Sequence, residues 1–198
     1  MGIFHVCFRR ITVSRNSSIL RNTRQRNGIR YLLLSIVVII LDQLTKYWCV
    51  ENIDFNSRGI EVLPFFNLVH VYNYGAAFSM FASWGGVQRY LLSGIAIVMI
   101  LVFTVVLLRA KASARWHCIS YSLFIGGAIG NLIDRLWHGY VVDFLLLYIK
   151  DDAGTITWSW PAFNVADMAV VGGAILMVIL AIFSRDDTPA SRRRRNRS

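Results

Sequence analysis

Long uncharged apolar runs, separated by charged connections, occupy most of this chain. Residues 90–108 form a run of 19 without a charged side chain. Because roughly 20 residues cross the hydrocarbon core of a bilayer, this run predicts a membrane-spanning helix. Residues 116–133 form a second such run, which carries only His117 near one end. Residues 168–184 form a third, which reaches spanning length if its helix begins near Asn164.

The first candidate span is shorter and contains charges. Residues 31–41 are apolar, but Asp42 ends the run after 11 residues. The segment spans a bilayer only if the helix continues through Lys46 to Tyr47 and Trp48, an aromatic pair typical of the membrane interface. We therefore predict an all-α membrane protein with four transmembrane helices, at about 30–48, 90–108, 116–133 and 164–183.

The two longer connections differ in character. Residues 60–81 are rich in Val, Phe and Tyr and are punctuated by Pro64 and Gly75, which predicts short strands in a small extracytoplasmic β element. This element either cradles an extended peptide or forms a packed plug over the helix ends. The connection 134–163 contains a polar, turn-like stretch at 150–154, followed by two tryptophans spaced like an interfacial anchor.

The distribution of basic residues predicts the topology. Residues 1–30 hold seven arginines and no acid, the connection 109–115 holds three basic residues, and residues 184–198 hold six. The connections 50–89 and 134–163 hold only two each, with seven of the eleven acids. The positive-inside rule then predicts that both termini are cytoplasmic. The predicted divisions are a basic cytoplasmic extension at 1–29, a four-span domain at 30–183 and a basic cytoplasmic tail at 184–198.

The net charge of +10 does not indicate nucleic-acid binding. Arginine clusters that flank membrane spans contact anionic lipid head groups and orient the protein, so we expect membrane lipids and no nucleic acid as partners. A catalytic zinc needs three closely placed protein ligands. The scattered histidines and the three cysteines do not supply them, and we expect neither a metal nor another cofactor.

Two aspartates lie beside the apolar runs on the predicted extracytoplasmic side. Asp143 lies at the end of the stretch 139–144, and Asp167 directly precedes the run that begins at Met168. An ionisable residue in or beside a spanning helix is costly, and by default it indicates a functional site. Two carboxyls within hydrogen-bond reach share one proton, so one can activate a water while the other protonates a carbonyl.

The residues around Asp167 also predict a helix start. Pro161 is tolerated only at or before a helix start, and Asn164 with Asp167 three positions later resembles a capping box. A cap alone would explain both residues. However, the helix dipole also favours the ionised form of a carboxylate there, which would suit Asp167 as the charged member and Asp143 as the proton carrier.

Other polar residues accompany these acids. Asp42 and Lys46 are four residues apart on one helix face, and structural pairing is the favoured interpretation. Asp134 and Arg135 are either interfacial charges or, for Arg135, a fixed cation that orients acids or substrate carbonyls. Asn73 either hydrogen-bonds a substrate backbone or shapes the turn at Gly75.

Five short motifs together resemble the lipoprotein signal peptidase family, the bacterial signal peptidases II, over residues 30–183. In chain order they are Asp42-Gln43-x-x-Lys46, Asn73-x-Gly75-x-Ala77-Phe78, Gly127-x-x-Gly130-Asn131-Leu132-x-Asp134-Arg135, Val142-Asp143-Phe144 and Phe163-Asn164-x-Ala166-Asp167.

The resemblance implies an aspartic endopeptidase of the bacterial inner membrane. Such enzymes remove signal peptides from diacylglyceryl-modified prolipoproteins by cleaving before the lipid-modified cysteine. The resemblance also implies that Asp143 and Asp167 are the catalytic dyad. The residues that match supporting positions are Asn73, Asn131, Arg135, Asn164, Asp42 and Lys46.

Two other functions remain as alternatives. A proton-coupled transporter or channel subunit also uses membrane acids, but typically near the bilayer midplane. Here the acids cluster at one end of the spans. A non-catalytic assembly subunit would use its acids only as helix caps, and Asp→Asn changes would then alter stability without removing an activity.

Overall fold

The predicted apolar runs are helices in the computed structural model, which describes residues 27–75 and 86–183. A 3-10 turn at Gly28–Tyr31 leads directly into the first helix. In the described part of the chain the helices are α1 (Leu32–Asn52), α2 (Val87–Arg109), α3 (Arg115–Trp137) and α4 (Val165–Phe183). These helices lie where the four spans were predicted, with ends that differ by up to four residues.

Among residues 27–75 and 86–183, three helical segments are long and apolar enough to cross a membrane. They are Gly28–Asn52, α2 and α4. The outer face of α4 exposes Met168, Val171, Ile175, Val178 and Ile182 at helical spacing. A contiguous exposed apolar face of this kind is rare in soluble proteins and suits contact with lipid.

The helix α3 has a different character because it lies between the others. It packs against α1, α2 and α4, and its buried positions include polar side chains. Ser120 Oγ donates to the carbonyl of Gly173 on α4 at 2.8 Å. Ser35 Oγ on α1 donates to the carbonyl of Ser122 at 2.8 Å. Hydrogen bonds of this kind join helices where water is absent.

Small residues let these helices approach closely. A Cβ on Gly127 would overlap the backbone carbonyl of Ala166 on α4. A Cβ on Gly130 would lie 2.6 Å from Oδ2 of Asp42 on α1. Both positions therefore require glycine, and they set the separation of α3 from its neighbours at the end of the bundle where the acids lie.

The β element is larger than predicted. It is a four-stranded antiparallel sheet with the order β1 (Ile60–Leu63), β2 (Phe66–Asn73), β3 (Val141–Lys150) and β4 (Ile156–Ser159). The first two strands lie in the region that was predicted to contain them. The other two come from the second connection, where we predicted only a polar turn and an aromatic anchor.

Asp143 is the third residue of β3 and lies near the start of that strand. Phe144 packs with Cys49 and Ile53 in a buried cluster at the end of α1. Since successive side chains of a strand point to opposite faces, Asp143 points away from this cluster. Register places Asp143 opposite Val71 on β2.

Some predictions lie outside the described residues. They concern most of the basic extension at 1–29, the tail at 184–198, and the motif residues Ala77 and Phe78.

Candidate active site

A cavity of about 760 Å³ lies where α2, α3 and α4 meet the sheet. The helices contribute mainly small and apolar lining residues, among them Ala96, Ala128 and Val170. At the sheet end the lining becomes polar. Five of the predicted site residues line this cavity: Asn73, Asn131, Arg135, Asp143 and Asp167.

The two oxygens of Asp143 accept hydrogen bonds from two asparagine amides. Asn73 Nδ2 donates to Oδ2 at 2.9 Å, and Asn164 Nδ2 donates to Oδ1 at 2.7 Å. Pairing of β2 with β3 brings Asn73 beside Asp143 across 70 residues of sequence. The Asp143 side chain is buried except for its access to the cavity.

Asp167 lies in the first turn of α4 and forms the predicted capping box. Its backbone N–H donates to Asn164 Oδ1 at 2.9 Å, and the backbone N–H of Asn164 donates to Asp167 Oδ2 at 3.2 Å. Asn131 Nδ2 on α3 donates to the other carboxyl oxygen, Oδ1, at 2.7 Å. The side chain of Asp167 therefore takes part in the helix cap and also faces the cavity.

Asn164 joins the two carboxyls. Its side-chain oxygen caps the helix that carries Asp167, while its amide nitrogen donates to Asp143. Burial and the neighbouring charge of Asp167 raise the pKa of Asp143 from its ordinary 3.8 to about 7, against the opposing effect of the donors Asn73 and Asn164. At neutral pH Asp143 is therefore poised to carry a proton.

Arg135 also faces the cavity. This location fits the interpretation of Arg135 as a fixed cation that orients acids or substrate carbonyls. Its guanidinium donates to the backbone carbonyls of Asn131 and Gly75, both at 3.4 Å. Asn73 Oδ1 in turn accepts from the backbone N–H of Gly75 at 3.0 Å. The predicted turn at Gly75 is thus tied both to Asn73 and to Arg135.

Asp42 and Lys46 form the predicted pair, in a buried cluster behind the cavity wall. Lys46 Nζ lies 2.7 Å from Asp42 Oδ2 and 3.0 Å from Asp134 Oδ2. Asp134 is 3% exposed, so its interpretation as an interfacial charge was wrong. Adjacent helix positions point in different directions, which is why Asp134 faces α1 whereas Arg135 faces the cavity.

Sequence reasoning missed Asp134 and Gln43 as members of this cluster. Gln43 Nε2 donates to Asp134 Oδ1 at 2.9 Å and to the backbone carbonyl of Gly130 at 3.2 Å. A signal was present, because Asn131 and Asp134 are three residues apart and share one face of α3.

The fold and the site define a class of protein. A membrane-embedded helical bundle carries two carboxyls that share one asparagine and open to one cavity, and one carboxyl has its pKa raised to about 7. Such a pair can activate water without a metal or a covalent intermediate, as in aspartic proteases. The chain belongs to the signal peptidase II family, because the family model described as "Signal peptidase (SPase) II" matches residues 34–183. It is thus an aspartic hydrolase of the type that removes signal peptides from prolipoproteins.

Relatives and solved structures agree with this family. The chain is 45% identical over 166 residues to the lipoprotein signal peptidase of Pseudoalteromonas atlantica, which covers 84% of this chain and 97% of that protein. It is 43% identical over 167 residues to the lipoprotein signal peptidase of Vibrio parahaemolyticus, which covers 84% and 95%. A bacterial membrane enzyme solved by the in meso method at 2.3 Å resolution superposes with a TM-score of 0.65 at 28% identity, over 80% of this chain and 90% of that one.

Proposed function

We propose that Asp143 and Asp167 are the catalytic dyad of this peptidase, and that it cleaves the peptide bond before the lipid-modified cysteine of a diacylglyceryl-modified prolipoprotein. The observation that carries the proposal is the double role of Asn164. One side chain contacts both aspartate segments, at 2.7 Å and 2.9 Å, and the two carboxyls line one cavity.

The geometry supports a division of roles within the dyad. Asp167 sits at a helix N-terminus, where the dipole favours a negative charge. Asp143 has a pKa raised to about 7 by burial and by that neighbouring charge. Asp167 is therefore the ionised member that accepts a proton, and Asp143 is the protonated member that donates one.

Hydrolysis then follows in two proton-balanced steps. Asp167 takes a proton from a water molecule as the water oxygen attacks the peptide carbonyl carbon, and Asp143 gives its proton to the carbonyl oxygen. The resulting tetrahedral diol is neutral. Asp167 next gives its proton to the leaving nitrogen as the C–N bond breaks, while Asp143 recovers a proton from a diol hydroxyl. The dyad returns to its starting state.

The surrounding polar residues hold this arrangement. Asn73 and Asn131 each donate to one carboxyl, at 2.9 Å and 2.7 Å. The guanidinium of Arg135 borders the cavity, and its hydrogen bonds to described residues are long ones to two carbonyls, at 3.4 Å. Its remaining N–H groups would bind substrate carbonyls. These residues orient the dyad and the peptide, whereas the two aspartates perform the proton transfers.

The membrane arrangement that fits this chemistry has four spans. The helix α3 is 23 residues long, which at about 1.5 Å per residue is sufficient to cross a bilayer. Its polar side chains face α1 and α4, a location tolerated for polar groups within a membrane. Four spans of the inner membrane leave both termini in the cytoplasm and the dyad near the extracytoplasmic face, in agreement with the arginine distribution.

The cavity suits a substrate that arrives from the lipid phase. Its helical walls consist mainly of small apolar residues, and the polar dyad lies at the end of the cavity next to the sheet. The apolar signal segment would enter laterally between the helices while the acyl chains stay in the bilayer. Membrane lipids are therefore partners of the protein, together with the prolipoprotein.

Release of the signal peptide from a lipidated precursor by the detergent-solubilised chain tests the dyad. General acid–base groups contribute at least about 10²-fold in rate, so Asp143→Asn and Asp167→Asn should each reduce turnover by about that factor or more. Asp152→Asn is the matched control, since Asp152 is exposed in the turn between β3 and β4. Near-normal turnover by a folded Asp143 or Asp167 variant would refute the dyad.

A further inference from the structure

Three charged side chains are buried together behind the dyad. Lys46 Nζ lies between Asp42 Oδ2 and Asp134 Oδ2, at 2.7 Å and 3.0 Å, and the side chains are between 0% and 5% exposed. Removing such charges from water is costly, and apolar residues of similar size often stabilise a fold equally well. Stability alone therefore does not account for this cluster, which we call the Lys46 cluster.

Each carboxylate of the Lys46 cluster accepts a backbone N–H next to the dyad. Asp134 Oδ2 accepts from Val142, the residue immediately before Asp143, at 3.2 Å. Asp42 Oδ1 accepts from Ala166, the residue immediately before Asp167, at 2.8 Å. One lysine thus holds the two acceptors that anchor the backbone on both sides of the site.

Lys46 also determines which way an amide points. Its Nζ donates to Asn131 Oδ1 at 3.0 Å, and Asn164 Nδ2 donates to the same oxygen at 3.2 Å. An ammonium group and an amide nitrogen can only donate, so they must face the oxygen of Asn131. The nitrogen of Asn131 is then directed to Asp167, 2.7 Å away.

We infer that Lys46 is a positioning residue for both members of the dyad. It fixes the backbone before each aspartate through Asp42 and Asp134, and it orients the amide of Asn131 toward Asp167. Lys46 itself touches neither aspartate of the dyad by a hydrogen bond in the described part of the chain. This inference rests on the proposed function, because it assigns Lys46 a role in the same hydrolysis.

The charges that face Lys46 come from three helices and the sheet. They are Asp42 on α1, Asp134 on α3, Asp143 on β3 and Asp167 on α4. The positive charge of Lys46 lowers the pKa of Asp143, against the larger opposite effect of burial. Loss of Lys46 should therefore raise the pKa of Asp143 as well as loosen the site.

The test compares Lys46→Met with Lys150→Met in the full-length chain. Both lysines lie 2.7 Å from a carboxylate oxygen, but Lys150 pairs with Glu61 on the exposed side of the sheet. Small misplacements of catalytic groups cost about 10²-fold, so Lys46→Met should reduce kcat by about that factor with KM changed by less than about threefold. The alkaline limb of the rate profile should also move to higher pH. Lys150→Met should change neither quantity.

A second variant keeps the test decisive if Lys46→Met does not fold. Lys46→Met combined with Asp134→Asn removes one charge of each sign, so the cluster keeps its net charge while the lysine contacts are lost. The same fall in kcat is expected, with a smaller shift of the limb because the net charge near Asp143 is unchanged. A merely structural role would lower the melting temperature without lowering the kcat of the folded fraction.

Results of two kinds would overturn the inference. Either folded variant could keep the kcat and the pH limb of the unaltered chain, or it could change KM alone. Failure of the proposed function has a different signature, since Asp143→Asn or Asp167→Asn would then remain active. If these aspartate variants are inactive and the Lys46 variants are fully active, only the inference about Lys46 fails.

Discussion

The side-chain amide of Asn164 lies 2.7 Å from Oδ1 of Asp143, although the two residues belong to different elements. Asn164 is the N-cap of α4, and Asp143 lies near the start of β3. The residue that caps α4 thus also holds the side chain of Asp143 in the sheet. The carbonyl of Phe163 reinforces this junction, because it accepts from the backbone N–H groups of Phe144 and Leu145 at 3.0 Å and 2.9 Å.

Substitutions of Asn164 should separate its two roles. Asn164→Ala loses the helix cap and the donor to Asp143, whereas Asn164→Ser keeps a capping oxygen but is too short to reach Asp143. We expect the serine variant to be more stable than the alanine variant by about 1 kcal/mol. Both should show a similarly large loss of kcat. Thermal unfolding and the precursor-cleavage assay would check this, and a fully active serine variant would contradict it.

Activity should decline as the pH rises through about 7. In the proposed mechanism hydrolysis requires one proton on the dyad, and this proton is assigned to Asp143, whose pKa is raised to about 7. Above that pH, kcat/KM should fall by about tenfold per unit, since this ratio reports the pKa values of the free enzyme. Measurements between neutral and alkaline pH, with folding monitored at each point, would reveal the limb. A flat profile in that range would contradict the assignment of the proton to Asp143.

Stability should depend on pH through the same carboxyl. The pKa of Asp143 is raised above its ordinary 3.8, so its contribution is fully present below that value and is lost as the pH rises through about 7. Asp143→Asn cannot ionise. The melting temperature of Asp143→Asn relative to the unaltered chain should therefore increase from pH 5 to pH 8. A difference in melting temperature that stays constant over this range would show that the Asp143 carboxyl is already ionised at pH 5, so that its pKa is not raised.

Close packing of α3 against α4 should make Gly127 intolerant of alanine. A Cβ at this position would overlap the carbonyl of Ala166, one residue before Asp167. Overpacking typically costs about 1–3 kcal/mol, so Gly127→Ala should lower the melting temperature and reduce kcat. Gly172→Ala is the matched control, because nothing lies within 4 Å of a Cβ built there. Equal stability of the two variants would contradict the packing argument.

Filling the cavity between the helices should block the substrate without unfolding the protein. Ala128 lines the cavity on α3, so Ala128→Phe places a ring in the expected path of the signal segment. We expect KM to rise by about tenfold or more, as uniform binding is lost, with a nearly unchanged melting temperature. Val178→Phe on the exposed face of α4 is the control for added apolar volume. If Ala128→Phe cleaves the precursor normally, the signal segment takes another route.

Several features of the fold were predictable because their causes are local. The positions of the helices follow from uninterrupted apolar runs, and the start of α4 follows from Pro161 and Asn164. The first pair of strands was indicated by the β-branched and aromatic residues of one connection. The pairing of Asp42 with Lys46 was predictable because four residues separate them on one helix, and the structure confirms it at 2.7 Å.

The second pair of strands escaped sequence reasoning for a physical reason. The stretch Val141–Lys150 is apolar and short, and such a stretch is compatible with either a buried strand or a helix end. It becomes a strand because β2 offers its edge, and β2 lies some 70 residues earlier in the chain. The same is true of Asp134, whose burial depends on Lys46 and Gln43 from another helix.

The sequence by itself thus determined the positions of the helices, the helix cap and the residues with acid–base capacity, since hydropathy, capping and charge act over a few neighbouring positions. The order of the motifs also indicated the family. Only the tertiary structure decided which carboxyls face one cavity and which are paired behind it. That decision depends on hydrogen bonds between segments up to 124 residues apart, such as the one from Ala166 to Asp42, and on close contacts that only glycine permits.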